Sequence, residues 1–222
     1  MHNPKNTIMP EQDIFRAAMP TKCSLCHAEI KNTVMCDYCK SMNPAAMMLD
    51  YFSLLGVPAT FDLDPDELRR KYLALSRHAH PDFHTQESEE VQKLHLQVAS
   101  SLNEAYQTLR DPATRAAYLL EQLGGKSMAE DKSVPEGFLN TMMMMQEELE
   151  EAAQSEDGEE RKRLQKVLQT QHDGLLRRIA ELFKQYQQAV SCRAVTDDLL
   201  SEIRKQVNAV SYVKKLLTQV KL

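Results

Sequence analysis

The chain has 222 residues, 42% of them apolar and 27% charged, with a formal net charge of −5. That length fits one fair-sized domain or two or three small ones, and the composition excludes wholesale disorder. Few glycines and prolines argue against a repetitive β-sandwich, no apolar run approaches the ~20 residues that span a bilayer, and the acidic balance disfavours general nucleic-acid or anionic-membrane binding.

Residues 1–22 are expected to form a flexible amino terminus. They lack an apolar segment and carry Glu11 and Asp13 beside their bases, so they read neither as a secretory nor as a transit peptide. A cytoplasmic protein is the expectation, and in a thiol-reducing compartment disulfides are disfavoured. Four of the five cysteines then need another account. Cys23 and Cys26 form one C-x-x-C, and Cys36 and Cys39 form a second after nine residues. Each motif sets two thiolates on a tight turn, and two such turns complete a tetrahedron around Zn²⁺. Residues 23–43 are too short to bury a core, so metal binding would supply their folding energy. Four protein ligands leave no open position for water, so the zinc is read as structural. A disulfide pair, redox thiols and an iron–sulfur cluster are the alternatives. His27 is read as a bystander and Cys192 as a free, partly buried thiol.

The pattern beyond Pro44 is helical. Asp50 to Leu55 reads as a short helix stopped by Gly56. Asp64 caps a second helix, with Pro65 at its first position and Glu67 in the capping-box place. It runs to about Ala79, with Leu68, Tyr72, Leu75 and Ala79 on one stripe and Arg70 and Arg77 almost opposite. His80-Pro81-Asp82 breaks it, because proline disfavours α geometry in the residue before it. After a polar loop, a third helix is expected over 89–110, with Val91, Leu94, Val98, Leu102, Ala105 and Leu109 inward. The two long helices should pack antiparallel. A short helix from Asp111-Pro112 reaches Leu123 and stops at Gly124-Gly125.

A linker follows, then three helices at about 137–155, 159–190 and 196–220, long enough and closely enough joined to form a bundle. In the first of these, Phe138, Met142, Met145, Leu149 and Ala152 form the inward stripe. Leu139, Met143 and Met144 fall on the far side beside Glu147 and Glu151, and exposed apolar residues rimmed by carboxylates point to a binding surface. The alternative is that Met143 or Met144 broadens the core stripe. In the last helix Leu199, Ile203, Val207, Val210, Val213 or Lys214, and Leu217 make the stripe. The fold class is therefore all-α: a helical hairpin, a carboxy-terminal three-helix bundle and a small tetracysteine knuckle before them.

With Asp50-Tyr51-Phe52 at the start, His80-Pro81-Asp82 at the turn and Asn103-Glu104-Ala105-Tyr106 to Arg110-Asp111-Pro112 at the end, residues 50–123 closely resemble a J-domain, the module through which Hsp40-type co-chaperones stimulate Hsp70 ATPases. Asp50 to Gly56, the long helix–loop–helix and the bundle at 137–222 together resemble the HscB family, co-chaperones of iron–sulfur cluster biogenesis. Some members carry a paired C-x-x-C zinc knuckle before the J-domain.

The resemblance implies no catalytic residue of the chain's own. It implies an HscA-type Hsp70 met by His80, Pro81, Asp82, Arg70 and Arg77, with Arg69 and Lys71 as further cations. It also implies an IscU-type scaffold protein held by Leu139, Met143, Met144, Glu147 and Glu151. The bundle is then a scaffold-binding and oligomerisation domain, with weak self-association left open. Asn140 and Met144 depart from the family pattern, as does Asn208, near an expected aromatic. The rival is a J-domain metal protein of the diphthamide type that carries iron and electrons. An enzyme lacks a phosphate loop or catalytic pairing, and a nucleic-acid ribbon would have only Lys22, Lys31 and Lys40 as cations.

Overall fold

The computed structural model describes residues 22–23, 25–30, 34–39, 41–79, 88–154 and 158–220. Among these residues, after the cysteine-bearing segment, come a short 3-10 helix, Pro44–Met48, and then seven α-helices: α1 (Tyr51–Leu55), α2 (Pro65–Ala79), α3 (Glu89–Arg110), α4 (Pro112–Gln122), α5 (Phe138–Gln154), α6 (Gly158–Ser191) and α7 (Asp197–Val220). Among the described residues, extended pairing is limited to two isolated bridges, Lys22 with Glu29 and Met35 with Met42. The all-α reading holds. Packing divides the chain into two units, one ending at Arg110 but lacking Thr60–Asp62, the other holding those three residues with Asp111 onward.

The first unit is organised by helix ends. Asp50 Oδ1 accepts from the Phe52 and Ser53 N–H groups at 2.9 and 3.1 Å, which satisfies donors that a helix start leaves orphaned. Gly56 closes α1 in the left-handed region (φ 65°), where a side chain costs energy. The Lys71 ammonium donates to the Gly56 carbonyl and pairs with Glu67 at 3.1 Å. Lys71 thus braces the α1–α2 corner, a use that its place among the sequence's outward cations did not reveal.

Helix α1 buries Phe52, Leu54 and Leu55 and packs on α2 and α3. Helices α2 and α3 pack on each other, with Tyr72 and Tyr106 stacked at 4.2 Å between ring centroids. Leu68, Ala79, Val98, Leu102, Ala105 and Leu109 are buried. Val91, expected inward, is instead exposed, and His95, one turn on, is buried. The apolar stripe therefore engages the core only from the second turn of α3. The 3-10 helix packs on α3 and places the Ser101 hydroxyl 3.8 Å from the Met47 sulfur.

The second unit is held mainly by burial. Met142, Met145, Leu149 and Ala152 of α5, Leu164 and Leu168 of α6, and Val213, Leu216 and Leu217 of α7 form one buried cluster, with Phe138 packed against it. Each fully buried side chain of this kind contributes roughly 1.5–3 kcal/mol. Val213 is the inward residue. Lys214 is exposed and pairs with Asp111 at 2.6 Å.

Helix α4 packs on α7 and α6. Asp111 caps it, accepting from the Ala113 and Thr114 N–H groups at 3.0 Å each. Phe61 stacks on Phe183 at 5.5 Å, and the Arg115 guanidinium lies 5.3 Å from the Phe61 centroid, a cation–π contact.

Asn208 is buried, not part of an outer face. Its amide donates to the carbonyls of Asp131 and Ser133 at 2.9 and 2.8 Å, which fastens the 126–135 segment to α7. Arg204, also buried, donates to the Asn208 side chain at 3.3 Å. Burial pushes its guanidinium pKa down, against the opposing pull of Glu121 and Asp131.

Candidate metal centre and docking faces

Two copies of one turn build the cysteine cluster. The Cys23 N–H donates to the Ala28 carbonyl at 2.8 Å, and the Cys36 N–H donates to the Ser41 carbonyl at 2.9 Å. In the first turn His27 takes a left-handed backbone (φ 60°) and donates its N–H to the Cys23 carbonyl at 3.0 Å. The bridges of Lys22 with Glu29 and Met35 with Met42 bracket the two turns. Val34, Met35 and Met42 are buried beneath them with Cys23 and Cys36.

The four sulfurs converge, all within 4.8 Å of one another, and Cys23–Cys39 and Cys26–Cys36 are each 3.6 Å apart. All five cysteines are free thiols. A tetrahedral metal with bonds of about 2.3 Å places its sulfurs about 3.8 Å apart, so the four are spaced to hold a metal ion. His27 is exposed and outside the set, as expected of a bystander.

The thiols do not share one proton affinity. The Cys26 N–H, the Ser41 hydroxyl and the Leu25 N–H pull the Cys23 pKa down to about 5. Ser41 also holds Cys39 below the ordinary value. At Cys26 an Ala28 N–H contact favours the thiolate, but burial and the other three thiols prevail and push it up to about 11. Four thiolates this close repel one another, and a divalent cation removes that repulsion. The donor set fits a metal.

Ser41 was missed in the sequence. Its hydroxyl lies 3.1 Å from the Cys39 sulfur and 3.4 Å from that of Cys23, and a cysteine count gives no signal for an outer-shell donor. Cys192, expected to be partly buried, is exposed just past the end of α6. Helix α6 has finished by then, so the thiol has no facing helix to cover it.

Arg70 and Arg77 are exposed on α2, and among the described residues neither has an ion-pair partner. His80, Pro81 and Asp82 lie outside the described residues. On α5, Leu139, Met143 and Met144 are exposed, as are Glu147 and Glu151, while Met142, Met145, Leu149 and Ala152 are buried. The alternative in which Met143 or Met144 broadens the core stripe does not hold.

A helical unit ahead of a helical bundle, with the sequence signature between α2 and α3, defines a J-domain protein with a carboxy-terminal bundle. The DnaJ domain model matches residues 50–118, and the HSCB C-terminal oligomerisation domain model matches residues 134–221. Co-chaperone protein HscB of Proteus mirabilis is 33% identical over 135 residues, 58% of this chain and 78% of that one. A Vibrio atlanticus HscB homolog is 32% identical over 179 residues, 78% and 96%. Among solved structures, human co-chaperone protein HscB covers 90% of this chain at a TM-score of 0.75 and 23% identity, with 96% of its own length matched. HscB from Vibrio cholerae covers 78% at 0.65 and 28%, with 96% of its own length matched. The chain belongs to the HscB co-chaperone family, which is a family of co-chaperones and not of enzymes.

Proposed function

We propose that the chain delivers an IscU-type iron–sulfur scaffold protein to an HscA-type Hsp70 and stimulates the Hsp70 ATPase during cluster assembly or transfer. The observation that carries this reading is the outer face of α5, where Leu139, Met143 and Met144 stand exposed beside Glu147 and Glu151, in a chain whose other module is a J-domain. The apolar side chains would meet the scaffold, and the two glutamates would fix its orientation.

On the Hsp70 side, Arg70 and Arg77 present cations to an acidic surface and raise the encounter rate. His80 offers ring hydrogen-bond groups, Pro81 fixes the backbone, and Asp82 pairs with a partner arginine. Joining the two contacts in one chain makes the second effectively intramolecular. Within this reading the metal is zinc, held by Cys23, Cys26, Cys36 and Cys39, and the compartment is the cytoplasm, where the thiols stay reduced. Colourless protein with one zinc per chain is expected. A red, redox-active centre would favour the iron-and-electron carrier instead.

The modular claim is tested by substitution. His80→Gln should abolish ATPase stimulation and leave scaffold affinity intact, and loss of both from a folded protein would defeat it. Leu139→Ala with Met143→Ala should weaken scaffold binding about tenfold or more by calorimetry, as expected for central apolar contacts, with basal ATPase stimulation unchanged. Unaltered affinity removes the site assignment.

A further inference from the structure

The four consecutive methionines of α5 are divided by the phase of the helix. Met142 and Met145 are 2% and 9% exposed, within the bundle core, and Met143 and Met144 are 62% and 63% exposed. Both exposed thioethers stand on the face read above as the scaffold site, between Leu139 and Glu147 along the helix.

We infer that Met143 and Met144 are a reversible oxidation site through which hydrogen peroxide weakens scaffold binding, an inference that rests on the proposed function of that face. The sulfur lone pair attacks one peroxide oxygen. The O–O bond breaks, the sulfur–oxygen bond forms, and the departing hydroxide takes up the hydroxyl proton and leaves as water. Sulfur loses two electrons and peroxide gains them. The product is a polar, chiral sulfoxide in place of a flexible apolar side chain. An apolar contact surface becomes one whose new oxygen must be desolvated on binding, which costs affinity unless the partner supplies a donor. Burial spares Met142 and Met145, so the bundle stays folded while its outer face changes. A methionine sulfoxide reductase, with a dithiol as reductant, returns the thioether.

The test uses the full chain treated with hydrogen peroxide, mapped by mass spectrometry, with scaffold affinity measured by calorimetry and helicity by circular dichroism. Met48, 83% exposed and outside α5, serves as a reactive methionine away from the site. Met143 and Met144 should oxidise with Met48 and about tenfold faster than Met142 and Met145. Affinity should fall about tenfold with helicity unchanged, and reductase treatment should restore it. Bound scaffold should protect Met143 and Met144 but not Met48. A variant with Met143→Leu and Met144→Leu, compared with itself before treatment, should show no fall in affinity after peroxide, and a tenfold fall in that variant also overturns the switch.

Equal oxidation of all four methionines, or unchanged affinity after full oxidation of Met143 and Met144, overturns the switch. In that second case, weakened binding by Leu139→Ala with Met143→Ala shows that the scaffold face stands while the switch fails. Unaltered affinity in that alanine variant means that the face itself is misassigned, and the switch falls with it.

Discussion

The cysteine knuckle and the carboxy-terminal bundle hold their folds by opposite means. The knuckle sets four thiols within 4.8 Å of one another over three buried apolar side chains, Val34, Met35 and Met42. The bundle draws nine buried apolar residues from three helices into one cluster. The first arrangement is spaced for four sulfurs to share a cation, and the second is built from apolar contacts. Metal removal should therefore be felt locally, and core truncation should be felt by the bundle.

The largest effect expected is loss of metal. If the metal is the zinc proposed above, such a structural site supplies an apparent ~10–16 kcal/mol at neutral pH, so a strong chelator should erase hydrogen-exchange protection between Cys23 and Met42. The α5–α7 amides should exchange as before. Loss of protection in both regions would break the comparison. Next comes Leu168→Ala in the centre of the bundle, where the side chain is fully buried. It should cost about 2–5 kcal/mol by denaturant unfolding and leave metal stoichiometry unchanged.

Smallest is Asp111→Asn. Burial tends to raise the Asp111 carboxyl pKa, but Lys214 and the Ala113 and Thr114 N–H groups hold it below its ordinary 3.8. A carboxyl depressed in the folded state stabilises above its unfolded pKa, and that contribution fades as pH falls through the folded value. The substitution should cost about 1 kcal/mol at pH 7, typical of a weakened cap and an exposed ion pair. The cost should shrink towards zero as pH falls through the depressed folded-state value. A cost independent of pH would mean that the charge of Asp111 plays no part.

The helices were legible because their apolar stripes repeat at 3.6 residues and their ends carry strong signals: Asp50 and Asp111 at starts, Gly56 at a stop. The cysteine cluster was legible because thiol spacing alone sets what a metal can reach. Other features had no such signal. Periodicity assigns arginine to the outside, so it could not place Arg204 in the interior with Asn208 tied to two carbonyls. The signals at Asp111-Pro112 and Gly124-Gly125 marked α4 as a short helix but not that α7 would cover it. The stripe of α3 included Val91, which a helix count cannot distinguish from the core residues that follow. Lys71 read as one more outward cation, because its partner, the Gly56 carbonyl, is a backbone group at a corner whose geometry appears only after folding.

The account's central claim is that Hsp70 activation and scaffold capture belong to separable parts of one chain. The most direct measurement is the single-turnover ATPase rate of the HscA-type Hsp70 with the wild-type chain and with His80→Gln, each with and without scaffold, alongside scaffold affinity for both. The account predicts stimulation only by the wild type and equal affinity for the two. Stimulation by His80→Gln at the wild-type rate would contradict it.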